Sequence, residues 1–251
     1  MNNPEKVKKE NLDFLWYLIF KIKHSVAKEN PAEALKKCIE SGYHDTCRTI
    51  RYFRSTNALN NSKNDLQGDQ IAFQDNFKKN KENFIAAVNK KLFERINELL
   101  KDTEQCFDTW HHETCEEIIG ISEEMNKVTL FRKDLPLLYY GQAQKWLNIT
   151  LKNMLVMDLW TKKMDVIRSK LHVPVDNIVL DNAKTYYQLK IECDNKSWSR
   201  WNKAIYVDFQ NNIRSLVREL NREDKATFDC PIDWEFDLWM KRKPSDTKNQ
   251  E

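Results

Sequence analysis

The chain has 251 residues, of which 31% are charged and 11% aromatic, with only 4 glycines and 6 prolines. This composition is typical of a helical globular protein rather than of a sheet protein or a disordered chain. The 41 Lys and Arg residues nearly balance the 38 Asp and Glu residues, so the overall charge gives no reason to expect nucleic acid or a membrane as a partner. We therefore predict an all-α protein.

Helical periodicity runs through the first half of the chain. Asn30-Pro31 is a good helix start, and Gly42 can end the helix that begins there. The polar segment 59–69 lacks periodicity and is the best candidate for a loop. The helices predicted before the centre of the chain cover residues 8–28, 31–41, 43–58, 70–101 and 104–124.

The stretch 137–157, with the sequence LLYYGQAQKWLNITLKNMLVM, is the centre of the predicted fold. At 100° per residue its apolar side chains fall on one broad arc, which is the pattern of a core helix. We therefore predict a multi-helix bundle packed around this helix. The opposite arc is the polar back of the helix and carries Gln142, Lys145, Asn148, Lys152 and Asn153.

Helical spacing continues beyond the central helix to a break near residue 173. Between 185 and 193, apolar and polar residues alternate with the period of a strand, so one short strand is an alternative there. A helix of about 25 residues follows Ser197, and a last helix covers 231–241.

Two lobes are the predicted organisation, with a single domain as the alternative. Residues 1–58 form an N-terminal helical lobe, 70–242 form the helical bundle, and 243–251 form a disordered tail. Six cysteines without a leader of the secretory kind indicate a reducing cytoplasm. No stretch approaches about 18 uninterrupted apolar residues, so we expect no membrane partner.

Two segments echo each other in their Cys and His residues: 38–47 and 106–115 both follow C-[IF]-[ED]-[ST]-x-x-H-[DE]-T-C. Thiolate and imidazole are the ligands that zinc prefers, so Cys106, His112 and Cys115 are candidate metal ligands. On one continuous helix their spacing places them on three faces, and buried structural cysteines and histidines are the alternative. Apart from zinc, we expect no cofactor.

Arg168 and His172 are the candidate catalytic pair. They lie closer together in sequence than the Arg and His of helical ribonucleases of the HEPN kind, to which the pair has a loose resemblance. The alternative is that Arg168 is solvated and His172 caps a turn. A metal-dependent nuclease pattern is a further option, in which Asp176 would hold Mg²⁺ beside Lys190, although Gln188 stands where an acidic residue is usual.

The second half of the chain is locally basic, with aromatic and basic residues mixed between 196 and 214. Such mixing can stack bases and hold phosphates, which predicts weak, salt-sensitive RNA binding. Aromatic residues pointing inward, or a patch neutralised by the acidic 104–124 helix, are the alternatives. The candidate nucleic-acid-binding residues are Lys145, Lys152, Arg200, Lys203 and Arg214.

Several short segments resemble uncharacterised helical proteins of low-GC Gram-positive bacteria: Trp110-His111 with Cys115, then YGQAQKWLN at 140–148, HVPVD at 172–176 and WSRW at 198–201. The resemblance carries no known activity. It implies a cytoplasmic bacterial interaction protein that acts through RNA or protein contacts, with phage defence by abortive infection as the associated role. A metal-dependent or HEPN-like nuclease is the alternative. The sequence leaves the oligomeric state open.

Overall fold

The computed structural model describes residues 4–50, 52, 67–126, 138–189, 197–223 and 227–240. Within these ranges the chain is all-α, with ten α-helices and no strand, which confirms the predicted fold class. Two short 3₁₀ helices cover Cys47–Thr49 and Trp198–Arg200. In chain order the α-helices are α1 Pro4–Phe20, α2 His24–Glu29, α3 Pro31–Thr46, α4 Gln67–Lys101, α5 Phe107–Asn126, α6 Tyr140–Met157, α7 Thr161–Arg168, α8 Asn177–Tyr187, α9 Lys203–Arg222 and α10 Pro231–Met240.

The helix predicted over 8–28 is broken into α1 and α2. Lys21 adopts a left-handed conformation with φ 58°, which ends α1. The Asp13 carboxylate then accepts hydrogen bonds from the Ser25 backbone N–H at 2.8 Å and the Ser25 hydroxyl at 2.9 Å. This carboxylate satisfies a free N–H in the first turn of α2 and holds the two helices against each other.

Gly42 does not end a helix as the sequence suggested, because α3 continues to Thr46. The glycine instead allows α3 and α6 to approach closely. A Cβ at residue 42 would lie 2.5 Å from the Trp146 carbonyl oxygen and 2.6 Å from Thr150 Oγ1. The Trp146 indole N–H also donates to the Ile39 carbonyl at 3.1 Å, which joins the same two helices.

Helix α6 is the centre of the bundle, but its polar back does not face solvent. Every residue from 141 to 150 is buried, because other elements pack around this part of the helix. Each of four polar side chains bonds to a different part of the fold. These bonds join Gln142 to the Thr49 carbonyl, Lys145 to Asp176, Asn148 to Tyr206 and Lys152 to Glu235.

The alternative of a strand near 185–193 is wrong for its first part. Residues 185–187 complete α8, and Gln188 ends that helix in a left-handed conformation with φ 52°. The Gln188 and Leu189 N–H groups donate back to Lys184 and Ala183. Both Tyr187 and Leu189 pack against the core, so this helix end produces the alternating pattern that resembled a strand. Residues 190–193 lie outside the described ranges.

The division into lobes stays a prediction, and the tail 243–251 lies outside the described residues. Helix α3, from the predicted first lobe, packs on α6. The buried apolar residues of α3, α4, α5, α6 and α9 belong to one core cluster. In the described part of the chain, no helix is both long and apolar enough to cross a membrane.

We expect Gly42→Ala to destabilise the protein by about 1–3 kcal/mol, because the new methyl group must displace the backbone of α6. Gly120→Ala is the matched control, since it lies within α5 and a Cβ there would meet nothing within 4 Å. It should stabilise the helix by up to about 1 kcal/mol. Urea unfolding followed by circular dichroism measures both changes. Equal stabilisation by the two substitutions would contradict this account of the α3–α6 contact.

Candidate functional site

A chain of buried hydrogen bonds joins α5, α6, α9 and the extended segment 171–175. His111 Nε2 lies 2.8 Å from Asn148 Oδ1, and Asn148 Nδ2 lies 2.8 Å from the Tyr206 hydroxyl. That hydroxyl lies 2.8 Å from His172 Nδ1, and His172 Nε2 lies 2.8 Å from Asp108 Oδ1. Four elements are therefore fixed to one another by polar groups in the interior.

The donors and acceptors of this hydrogen-bond chain can be assigned in order, starting from Asp108. An ionised Asp108 only accepts, so His172 donates from Nε2–H and its Nδ1 accepts the Tyr206 O–H. The Tyr206 oxygen then accepts from Asn148 Nδ2, and Asn148 Oδ1 accepts from His111 Nε2–H. The Cys115 thiol, 3.9 Å from His111 Nδ1, completes the series as a weak donor. Every member is satisfied with both imidazoles neutral.

Burial sets the protonation of the two histidines. It lowers the pKa of His111 well below its ordinary value, and the neighbouring His172 adds to that effect. Burial also lowers the pKa of His172, although its bond to Asp108 acts in the opposite direction. The pKa of Tyr206 is raised well above its usual value, chiefly because the hydroxyl is buried. These directions agree with the neutral hydrogen-bond pattern.

Asp108 is the member of this hydrogen-bond chain that reaches the surface, with 55% of its side chain exposed. Its carboxylate also accepts two bonds from the Arg214 guanidinium, at 2.7 and 3.0 Å. The bond from His172, followed by that from Arg214, holds the pKa of Asp108 well below its usual range. Chemically, this arrangement stabilises one fixed carboxylate and orients an imidazole.

The structure separates the predicted catalytic pair by giving each residue a different carboxylate. Arg168, at the end of α7, pairs with Asp233 in the first turn of α10. His172 is 5% exposed and bonds to Asp108 and Tyr206. Because Arg168 and His172 bind different carboxylates within the described residues, a shared catalytic role for the two gains no support.

The three candidate zinc ligands point to different neighbours. Cys106 is exposed and accepts from the Thr109 hydroxyl at 3.3 Å. His112 Nδ1 lies 3.9 Å from a Glu116 oxygen, while Cys115 is buried against His111. Among the described residues, no group of three or more His, Cys, Asp or Glu side chains is arranged to hold a metal ion. The spacing argument against one shared site agrees with this geometry.

Most of the predicted nucleic-acid-binding residues are engaged in ion pairs. Lys145 binds Asp176 at 2.7 Å and Lys152 binds Glu235 at 2.6 Å, and Arg214 binds Asp108 on the acidic helix α5. Arg200, just before α9, and Lys203, at its start, are exposed. Of the three paired residues, Arg214 alone is paired with the acidic helix α5, so the competing interpretation, in which that helix neutralises the whole basic patch, stays a prediction.

A cleft of about 540 Å³ opens on one side of α6. Its wall contains Lys145, whose ammonium lies 2.7 Å from Asp176 Oδ2 and 5.5 Å from the centre of the Trp198 ring. Asp176 also caps α8 by accepting the Val179 N–H at 2.9 Å. The lining residues are Asp45, Arg48, Thr49, Lys145, Asp176, Asn177, Ile178, Ser197, Trp198 and Trp239.

Sequence reasoning singled out His172 but missed its partners Asp108 and Tyr206, and also Asn148, which bonds to Tyr206. Their separation in sequence explains the omission, because His172 and Asp108 are 64 positions apart and His111 and Asn148 are 37 apart. A polar residue within an apolar helical pattern is the one available signal, and it does not name a partner.

Comparisons with protein-family models, curated proteins and solved structures found no match. Functional conclusions for this chain therefore depend on its own geometry.

We expect the free energy of unfolding to decrease as the pH falls below about 6.5, the ordinary pKa of histidine. The unfolded histidines bind protons there, whereas buried His111 and His172 resist protonation, so the unfolded state binds more protons and gains stability in acid. Asp108 adds a second loss below about pH 4, because its folded pKa is lowered. Urea titrations between about pH 7.5 and about pH 5, the range in which histidine changes its charge, measure the first effect.

The control for this pH dependence compares His111→Asn with His44→Gln. His44 is exposed on α3, so its replacement should leave the slope of stability against pH unchanged. Replacement of His111 should make the slope shallower. Burial raises the pKa of Glu235, which contributes with the opposite sign and makes the comparison between variants necessary. Identical slopes for the wild type, His111→Asn and His44→Gln would refute the assignment of the pH dependence to buried histidines.

Proposed function

We propose that this chain is a cytoplasmic interaction protein that binds a protein partner through helix α1. The observation that supports this proposal is a set of large apolar side chains on α1 that are exposed to solvent. Their exposed fractions range from 39% for Leu12 to 64% for Ile19. The set consists of Leu12, Phe14, Leu15, Tyr17, Leu18 and Ile19.

Among the described residues, α1 packs on the rest of the protein along the side that carries Trp16 and Phe20, which contact the core. The Trp16 ring centre lies 4.6 Å from that of His24, and Asp13 bonds to Ser25. At 100° per residue, the exposed apolar residues occupy more than half of the helix circumference. A helix that is apolar on nearly all sides is normally buried. The C-terminal half of α1, which carries these residues, therefore has the surface of a helix that is buried in a complex.

Large contiguous apolar patches are rare on monomeric proteins and mark sites of interaction. An amphipathic or apolar helix is commonly bound in the groove of a partner, which contacts residues one helical turn apart. Leu12, Leu15, Leu18 and Ile19 supply such spacing along α1. The structure therefore favours helix-in-groove docking for this surface.

Charge around the patch selects the kind of partner. The exposed charged side chains nearby are mostly cationic, because five lysines outnumber Glu10 and Glu29. The lysines are Lys8, Lys9, Lys21, Lys23 and Lys28. A second copy packed on the same surface would bring these lysines together, which costs energy and disfavours self-association. An apolar groove with an acidic rim complements both the apolar surface and its charge. We therefore assign the surface to a different protein with such a groove.

The alternative nuclease activity has less structural support. Arg168 and His172 each bind a separate carboxylate, and the polar chain around His172 is buried. An abortive-infection role is part of this proposal through the resemblance alone. Binding through α1 is the function that the geometry supports best.

Site-specific photo-crosslinking in the host cell tests the proposed surface. A photoreactive amino acid at Leu15 should yield one adduct, with a protein that has an apolar groove with an acidic rim. The same group at Val156, which is 50% exposed on α6, should not yield that adduct. An adduct between two copies, an adduct with lipid, or no adduct would each overturn the proposal.

The purified partner then permits a quantitative prediction. Leu15→Glu with Ile19→Glu should weaken its binding at least tenfold, because two buried apolar contacts become unpaired charges. Val156→Glu with Val166→Glu is the matched control, since these valines are exposed elsewhere, and it should leave affinity unchanged. Binding should also weaken with salt, given the lysine rim. Calorimetry measures affinity, and circular dichroism confirms that both variants fold.

A further inference from the structure

The cleft beside α6 has the size and lining of a small-molecule site. Its volume of about 540 Å³ falls within the range of about 300–1,000 Å³ that is usual for ligand pockets. Four parts of the fold besides α6 position its walls: the end of α3 with the following turn, the start of α8, the segment at Ser197 and Trp198, and α10. The central helix supplies the wall at Lys145.

The inner wall of the cleft is rigid and polar. Lys145 and Trp198 are 5% and 6% exposed, and the ammonium is held between the indole and the Asp176 carboxylate. The backbone around Trp198 is also fixed, because the Gly141 N–H donates to the Trp201 carbonyl at 3.0 Å. A ligand would therefore meet prearranged groups, which reduces the entropy lost on binding.

The charges in the lining cancel. Arg48 and Lys145 are cationic, and Asp45 and Asp176 are anionic. Because Lys145 is already paired at 2.7 Å, the cleft has no excess charge to attract a polyphosphate. An uncharged ligand that both donates and accepts hydrogen bonds suits it better.

The remaining lining residues indicate the shape of that ligand. Trp198 and Trp239 contribute indoles to the lining, with the Lys145 ammonium 5.5 Å from the first ring and the Lys152 ammonium 5.4 Å from the second. Trp239 is 37% exposed, so it is the indole on which a flat, π-rich molecule can stack. Asn177 can donate and accept through its amide, and Thr49 and Ser197 carry hydroxyls. We infer that this cleft binds a nucleobase.

A nucleobase could reach the cleft as a free nucleoside or within single-stranded RNA. Arg200 is exposed two residues after Trp198, and Lys203 follows it at the start of α9. These cations could contact RNA phosphates outside the cleft while a base enters it. The two sources share the same chemistry inside the cleft, and binding measurements distinguish them.

The test is isothermal titration of the full chain with each of the four ribonucleosides and with short single-stranded RNA of each base. We expect saturable binding of at least one base. Nucleoside binding should change little between about 50 and about 200 mM salt, whereas RNA binding should weaken if phosphates are contacted. Binding of RNA without any binding of nucleosides would identify RNA as the source, provided that it depends on Trp239.

Trp239→Ala should weaken nucleobase binding about fivefold or more, through loss of stacking surface. Tyr186→Ala is the matched control, because Tyr186 is an exposed aromatic residue outside the cleft, and it should have no effect. Asn177→Ala, at the exposed start of α8, should weaken binding about threefold. Thermal unfolding confirms that each variant is folded.

Two results would overturn the inference. One is the absence of saturable binding by every nucleoside and RNA. The other is binding that is unaffected by Trp239→Ala, which would indicate a phosphate-binding surface elsewhere if it also fell steeply with salt. The α1 double variant should retain nucleobase binding, so failure of this inference and failure of the proposed protein interaction are separate results.

Discussion

Burial of the polar side of α6 is the constraint on which the rest of the structure depends. A polar group loses its bonds to water when it is buried, and it is tolerated only where a protein partner replaces them. Lys145, Asn148 and Lys152 receive those partners from α8, α9 and α10 respectively. An apolar interface tolerates small shifts of one helix against another, whereas these bonds do not. The three helices are therefore held in one arrangement around α6, a specificity that apolar packing alone would not supply.

The sequence predicted the helical class and the central position of α6, because apolar periodicity reports how residue types are distributed around a helix. That pattern cannot report what lies opposite the helix. Lys145 and Lys152 were assigned to the polar back and to a surface that contacts RNA, yet their carboxylate partners are 31 and 83 positions further along the chain. The break at Lys21 was missed for a similar reason, since the contact that holds α1 on α2 joins Asp13 to Ser25. In the first case the polar arc is real and its partners come from distant parts of the chain, and in the second the apolar period continues across a break that it does not reveal.

The candidate sites follow the same rule. His172 was identified from its residue type, but its environment depends on Asp108 in α5 and Tyr206 in α9, and neither has a recognisable spacing to it. The echo of Cys and His between 38–47 and 106–115 is a real sequence feature. Two of its four cysteines nevertheless serve helix packing: Cys38 lies 3.5 Å from the Met157 sulfur, and Cys115 lies against His111. Burial raises the pKa of both thiols, so they remain protonated and behave as small apolar groups.

The two proposed binding surfaces differ in how they are attached to the core. The cleft contains Lys145 and Asp176, which are also structural, since one belongs to the buried side of α6 and the other caps α8. Its geometry is therefore as rigid as the bundle itself, which suits recognition of a small, flat ligand. Helix α1 is anchored by the Asp13–Ser25 bonds and by Trp16 and Phe20, which pack on the core. Its apolar surface stays in solvent, so a groove can cover that surface without loss of core packing. A pocket and an exposed helix are suited to different ligands, and one scaffold can support both because only the pocket shares residues with α6.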